Sequence, residues 1–171
     1  MMADGSTTTS GFRLVGARAV ADAAPKAFTI MHQIEAIELN LEPQPEVAIE
    51  TCRSLIESVC KTILGDLGEE VPSKPNAEVL VSLVLKRLAI FADPKSVDAE
   101  AKEAVRDTVT GINKFVNGIG KYRRMFGLAS HGRDGYRDAV DGCHARLVAG
   151  VTDALVSFLY EAHRRLHGEE E

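Results

Sequence analysis

Ile49, Cys52, Ile56, Val59, Ile63 and Leu67 recur at three- and four-residue steps, and Gly68 follows directly. That spacing lines one face of a helix with apolar side chains, and a glycine just past the last of them suits the left-handed turn that ends a helix. The same rhythm returns along most of the chain, and no stretch alternates apolar and polar residues as a half-buried strand would. The pattern predicts an all-α helical bundle.

The other elements follow from punctuation. Residues 1–12 read as a disordered lead-in of small polar residues. A helical extension over 13–41 comes next, first with Val15, Ala19 and Val20, interrupted at Pro25, then with Phe28, Ile30, Met31, Ile34, Ile37, Leu39 and Leu41. Pro43-Gln44-Pro45 is the expected internal boundary, so 42–168 forms the main domain and 169–171 an acidic tail. Within that domain, Pro72 to Asn76 reads as a loop and cap. Val79, Leu80, Leu83, Val84, Leu88 and Phe91 then predict a helix ending at Asp93-Pro94. The next helix is expected to start at the cap Ser96, with Asp98 and Glu100 at the positive end of its dipole. Its seam is Val105, Val109, Ile112, Val116 and Ile119, and its glycines at 111, 118 and 120 imply close approach of another backbone or a ligand. A last helix, from near Tyr136 to His167, would bury Val140, Leu147, Val151, Leu155, Phe158, Ala162 and Leu166.

A chain of 171 residues can bury one respectable core. Its net charge of −5 argues against broad electrostatic capture of duplex nucleic acid, yet Lys121, Arg123, Arg124, His131, Arg133 and Arg137 gather in one stretch opposed only by Asp134 and Asp138. Cys52, Cys60 and Cys143 form no Cys-x-x-Cys pair and lie in apolar helical patterns, which fits buried reduced thiols and a cytoplasmic location. No positively charged leader precedes an apolar run, and no segment is long and apolar enough to span a membrane.

The chemistry concentrates in Val116 to Gly132. Seven residues separate Arg124 from His131, nearly two turns, so on a continuous helix both would share a face. Arg can grip a phosphate through two parallel charge-assisted hydrogen bonds, and His, with an ordinary pKa of about 6.5, can give or take a proton near neutrality. That combination suits a phosphodiester.

Two blocks resemble one family. Gln44 to Leu64 contains Ala48, Arg53, Leu55, Ile56, Glu57, Val59, Cys60 and Lys61. It is similar to the Ala-x-x-x-x-Arg-x-Leu-Leu-Glu-x-Val-Cys-Lys helix of the abortive-infection C-terminal domain. Val116 to Gly132 resembles that family's Asn-Gly-x-Gly-x-x-Arg-Asn-x-x-Gly-x-x-His-Gly segment, and with the closing helix the resemblance spans roughly 42–167. The resemblance implies a HEPN-like all-α fold from bacterial antiphage defence. Many such proteins are dimeric, metal-independent ribonucleases bearing an Arg, a short spacer and a His. Here the family's Asn after the Arg is replaced. Aligning on Gly127 selects Arg123 as the family arginine, whereas aligning on spacing selects Arg124.

The resemblance therefore implies Arg123, Arg124 and His131 as catalytic candidates, supported by Asn117, Lys121, Arg53 and Glu57, with no cofactor and no metal. Arg53 and Glu57, one turn apart, otherwise read as a surface ion pair; the sharper reading has Glu57 orienting a motif arginine. Asn117 is expected to bond the backbone near a bend at Gly118 to Gly120 or to touch substrate. His163 and His167 have a metal-binding spacing, yet without a carboxylate cluster they read as solvated tail histidines. Cys143-His144 lacks any nucleophile signature, and no phosphate-binding loop or Gly-x-Ser-x-Gly elbow is present.

The expected function is a metal-independent endoribonuclease of an abortive-infection system, working at the cleft of a homodimer. Its partners would be RNA and an antitoxin or phage protein, without a membrane. The alternative is a non-catalytic helical module that dimerises or senses a partner in the same setting.

Overall fold

The computed structural model describes residues 11–24, 27–89, 98–126 and 140–168. Among them are six helices and no strand. In chain order these are α1 (Val15–Ala23), α2 (Ala27–Asn40), α3 (Pro45–Asp66), α4 (Ala77–Arg87), α5 (Ala99–Phe126) and α6 (Gly142–Gly168). The predicted bundle is what forms. α3 occupies its centre, packed against α2, α4, α5 and α6, while α1 lies across α2 and α6.

Local chemistry sets the ends of α3. Pro45 occupies its first turn, where a missing N–H costs nothing, and Glu46 complements the positive end of the dipole. At the other end Gly68 takes φ +68°. Its N–H donates to Gly65 O at 3.1 Å while the Glu69 N–H reaches Leu64 O at 2.9 Å, a paired closure of two terminal carbonyls. Between these ends Ile49, Cys52, Leu55, Ile56, Val59, Cys60, Ile63 and Leu64 are buried, each large aliphatic contributing about 1.5–3 kcal/mol by leaving water.

The core is continuous across the Pro43 to Pro45 boundary, because Ile30, Ile34, Ile37 and Leu41 of α2 bury against the same cluster. Phe28 and Leu39, from the same apolar run, face solvent at 76% and 66% exposure. α4 begins where Asn76 Oδ1 accepts the Val79 N–H at 2.8 Å and ends at Arg87, well before the expected Asp93-Pro94. Ala89 just beyond it has φ +47°, a left-handed conformation that cannot continue a helix; Phe91 lies outside the described residues. The cap of α5 is Asp98 rather than Ser96, since Asp98 Oδ1 accepts the Ala101 N–H at 2.9 Å.

α6 departs most from the periodicity. Leu155 and Val140 are buried as expected, but Leu147, Val151, Phe158 and Leu166 are exposed. The face that turns inward is Ala145, Val148, Ala149, Thr152, Val156, Leu159, Tyr160 and His163. Where this helix crosses α1 the contact is tight. A methyl group built on Gly16 would sit 2.9 Å from Ser157 Cβ and 3.3 Å from the Asp153 carbonyl.

α1 is only nine residues long and would be marginal alone. Asp153 of α6 caps it from outside, accepting the Gly16 N–H at 3.2 Å and the Ala17 N–H at 2.7 Å. Glu38 of α2 holds the entry by accepting from Leu14 N at 2.9 Å and pairing with Arg18 at 2.6 Å and Arg13 at 2.9 Å. Burial pushes the Glu38 carboxyl up, but the bonds from Arg18, Leu14 and Arg13 outweigh it and leave its pKa below the ordinary value.

A depressed carboxylate contributes stability that is complete above its unfolded pKa, about 4.3, and drains away as pH falls through the lower folded value. Glu38→Gln should therefore cost about 1–3 kcal/mol at pH 7 by denaturant unfolding, with the deficit shrinking toward pH 3. Gly16→Ala should cost about 1–3 kcal/mol, and limited proteolysis should then cut first at the α1 edge. A variant as stable and resistant as the wild type would contradict the tight crossing.

Candidate functional site

Of the candidate residues, Arg53 and Glu57 lie where α3, α4 and α5 converge. Arg53 projects from the middle of α3 and is 8% exposed, a rare burial for a cation. Both ends of its guanidinium engage Glu78 of α4, with Nη1 donating to Oε1 at 3.3 Å and Nη2 to Oε2 at 3.2 Å. Its Nε lies 3.3 Å from Glu57 Oε1, one turn on along α3. Burying a cation is costly unless it is paired and hydrogen-bonded, and a two-pronged carboxylate is the geometry that best satisfies an arginine.

The third wall of this pocket is a backbone. A methyl group on Gly120 would lie 2.5 Å from Arg53 Nη1 and 3.0 Å from Glu78 Oε1, so the guanidinium rests directly on α5. The α5 glycines are expected to admit another backbone or a ligand; at Gly120 the close neighbour is instead a side-chain ion pair. Gly111 and Gly118 have open space where a Cβ would stand. α5 runs as one helix through this stretch with no bend at Gly118 to Gly120. Val116 and Ile119 bury toward α3, while Asn117 and Lys121 face solvent.

Arg123 and Arg124 stand on the last described turn of α5, directly after Gly120 and Lys121. His131, Arg133 and Arg137 lie outside the described residues, and with them the expectation that Arg124 and His131 share a helix face. The structure thus brings together Arg53, Glu57 and the α5 turn before the arginines. The Arg53–Glu57 pair is partly buried rather than a surface pair, with side-chain exposures of 10% and 23%. Sequence reasoning did not find Glu78. It stands 25 residues from Arg53 and looked like an ordinary acidic residue in the first turn of a capped helix.

Two other expectations are corrected. His163 is not a solvated tail residue; it is 5% exposed, with Nε2 3.2 Å from Asp66 Oδ2, tying α6 to the end of α3. Cys143 is exposed rather than buried. It sits beside Asp141, which caps α6 by accepting the His144 N–H at 3.0 Å and lies 2.7 Å from His144 Nδ1. Those bonds, from the His144 amide first, hold the Asp141 carboxyl below its usual range. Cys52 and Cys60 are buried as expected, and desolvation pushes both thiols up to about 12. Among the described residues no group of three or more His, Cys, Asp or Glu could hold a metal ion, and no helix is long and apolar enough to cross a membrane.

An all-α bundle is consistent with the HEPN-like class. A family model described as a HEPN-like domain (Abi_C) matches residues 29–163, from the first turn of α2 to the last turns of α6. The chain belongs to this abortive-infection C-terminal family. No curated protein and no solved structure matches it.

Thiol accessibility gives a direct check on this arrangement. A polar disulfide reagent at pH 8 should titrate one thiol per native chain, Cys143, and the Cys143→Ser variant none. Rapid reaction of a second thiol under native conditions would mean that α3 is less enclosed than described.

Proposed function

We propose that this HEPN-like domain is a metal-independent endoribonuclease of an abortive-infection system, with its site at the C-terminal end of α5. The observation that carries the reading is the family membership, joined to the buried Arg53 cluster that pins α5 one turn before Arg123 and Arg124. In this mechanism His131 accepts the proton of a ribose 2′-hydroxyl, and the 2′-oxygen attacks phosphorus. The bond to the 5′-oxygen then breaks, and that oxygen leaves with a proton. Arg123 or Arg124 stabilises the added negative charge on the phosphorane. The products are a 2′,3′-cyclic phosphate and a 5′-hydroxyl. Asn117 and Lys121, both exposed on the preceding turns, would contact the RNA backbone in this reading.

One Arg–His pair supplies too few groups for both the base and the acid, so the working unit is a homodimer whose two motifs face one cleft. The exposed Leu147, Val151 and Phe158 of α6 support association, because an apolar run on a helix surface is a common docking face for a second copy. The setting is cytoplasmic, with an antitoxin or a phage protein as the controlling partner. The second reading, a non-catalytic dimerising or sensing module, draws on one departure. Met125 follows Arg124, and Arg124 follows Arg123, where the family pattern calls for Asn after its arginine.

Incubation of purified protein with mixed RNA in excess chelator decides between them. Wild type should release fragments ending in 2′,3′-cyclic phosphate. His131→Ala should lower the rate by about 10²–10⁴-fold, and changing the functional arginine to Ala should lower it by a similar factor. No cleavage by the wild type, or equal cleavage by wild type and His131→Ala, defeats the nuclease reading and favours the silent module. The rate should also follow a bell-shaped pH profile, as paired imidazoles acting as acid and base require.

A further inference from the structure

We propose that Glu78, through Arg53, is a positioning residue for the end of α5. In this arrangement a carboxylate on α4 and a guanidinium on α3 form a brace against the Gly120 backbone and fix the turn that carries Arg123 and Arg124. The catalytic consequence rests on the nuclease reading; the mechanical one does not.

Three observations converge. First, Arg53 is held by two carboxylates: Glu78 accepts from Nη1 and Nη2, and Glu57 Oε1 lies 3.3 Å from Nε, an ion-pair contact that does not satisfy Nε as a hydrogen bond. Its side chain is 10% exposed, with Glu57 and Glu78 at 23% and 25%, so the three charges sit where water screens them poorly. Second, the cluster bears directly on α5 at Gly120, at a contact that leaves no room for a Cβ. Third, α5 is sparsely anchored elsewhere. Val109, Ile112, Phe115 and Tyr122 are only partly buried, and Val116 and Ile119 are its fully buried aliphatics. A Ser82–Asn113 contact at 3.3 Å ties its middle to α4. The Arg53 cluster, with the partly buried Tyr122 two residues beyond Gly120, supplies the interior contacts nearest the arginine turn among the described residues.

Charge counting adds a direction. Two carboxylates face one guanidinium, leaving one negative charge in excess at the base of a turn whose sequence carries Lys121, Arg123 and Arg124. A negative floor under a cationic turn lowers the self-repulsion of those cations and holds the turn wound before any phosphate arrives. Arg53 supplies the fork, Glu78 fixes the fork, and Gly120 lets the backbone lie on it.

The test compares the full-length wild type with Glu78→Gln, Glu78→Asp and Gly120→Ala, none of which is a catalytic residue. Hydrogen exchange read by mass spectrometry follows a peptide over residues 119–126 of α5 and a reference peptide over 148–160 of α6. RNA cleavage is measured in parallel. Glu78→Gln and Gly120→Ala should exchange about tenfold faster in the α5 peptide with the α6 peptide unchanged, and Glu78→Asp, which keeps the charge, should fall between them and the wild type. In cleavage, kcat should drop about tenfold with KM little altered, since the brace shapes the site without touching RNA. Unchanged α5 exchange, equal loosening of both peptides, or full loosening in Glu78→Asp with no gradation overturns the brace. If the wild type does not cleave RNA, the nuclease reading falls and the exchange pattern alone judges the brace.

Discussion

A cation buried in the middle of an apolar helix dictates what must surround it. Arg53 sits among Cys52, Leu55 and Ile56 on α3, and an unpaired guanidinium there would cost several kcal/mol. Its donors need acceptors, and Glu57 from the same helix offers an ion-pair contact at Nε without a hydrogen bond. The remaining acceptors have to come from another helix, so α4 is drawn in through Glu78. The volume of the paired guanidinium then forbids a side chain on the facing α5 residue, so α5 presents Gly120. Three helices are thus registered against each other by one ion cluster, whereas apolar contacts alone would tolerate small slides.

On the opposite side of α3 the logic is steric. α6 and α1 approach closely at Gly16, Ser157 and Asp153; Val156 and Leu159 of α6 stay buried while Leu147, Val151, Phe158 and Leu166 are left outside. α1 gains its N-terminal hydrogen bonds from Asp153 of α6 instead of from a local cap. The same helix that buries α1 therefore also completes it. Membership of the HEPN-like Abi_C family fits this picture, since the match runs from α2 through α6 and takes in both sides of α3.

Legibility varied with the range of the interaction. α3, its glycine stop and the cap at Asn76 could be read because each depends on residues within one or two turns. The face of α6 could not, because its apolar residues run along more than one stripe, and only packing against the other helices decides which stripe is covered. The site was partly legible: Arg53 and Glu57 stood out as a pair one turn apart, and Gly120 as a costly glycine in a helix. That these belong to one cluster was hidden, because Glu78 reaches Arg53 only after α3 and α4 have packed. His163 misled for the same reason. Near the end of the last helix it looks solvated, and only the meeting of α6 with Asp66 encloses it.

By itself the sequence determined that this chain is helical, where most helices turn, and that one stretch gathers Asn117, Lys121, Arg123, Arg124 and His131. These are matters of local backbone preference and composition, settled within a few residues of chain. Only the tertiary structure decided that Arg53 is interior, that Glu78 holds it, and that their paired charges bear on the backbone of α5. Electrostatic pairing acts through space between segments 25 residues or more apart, and its strength depends on how much water the surrounding helices exclude.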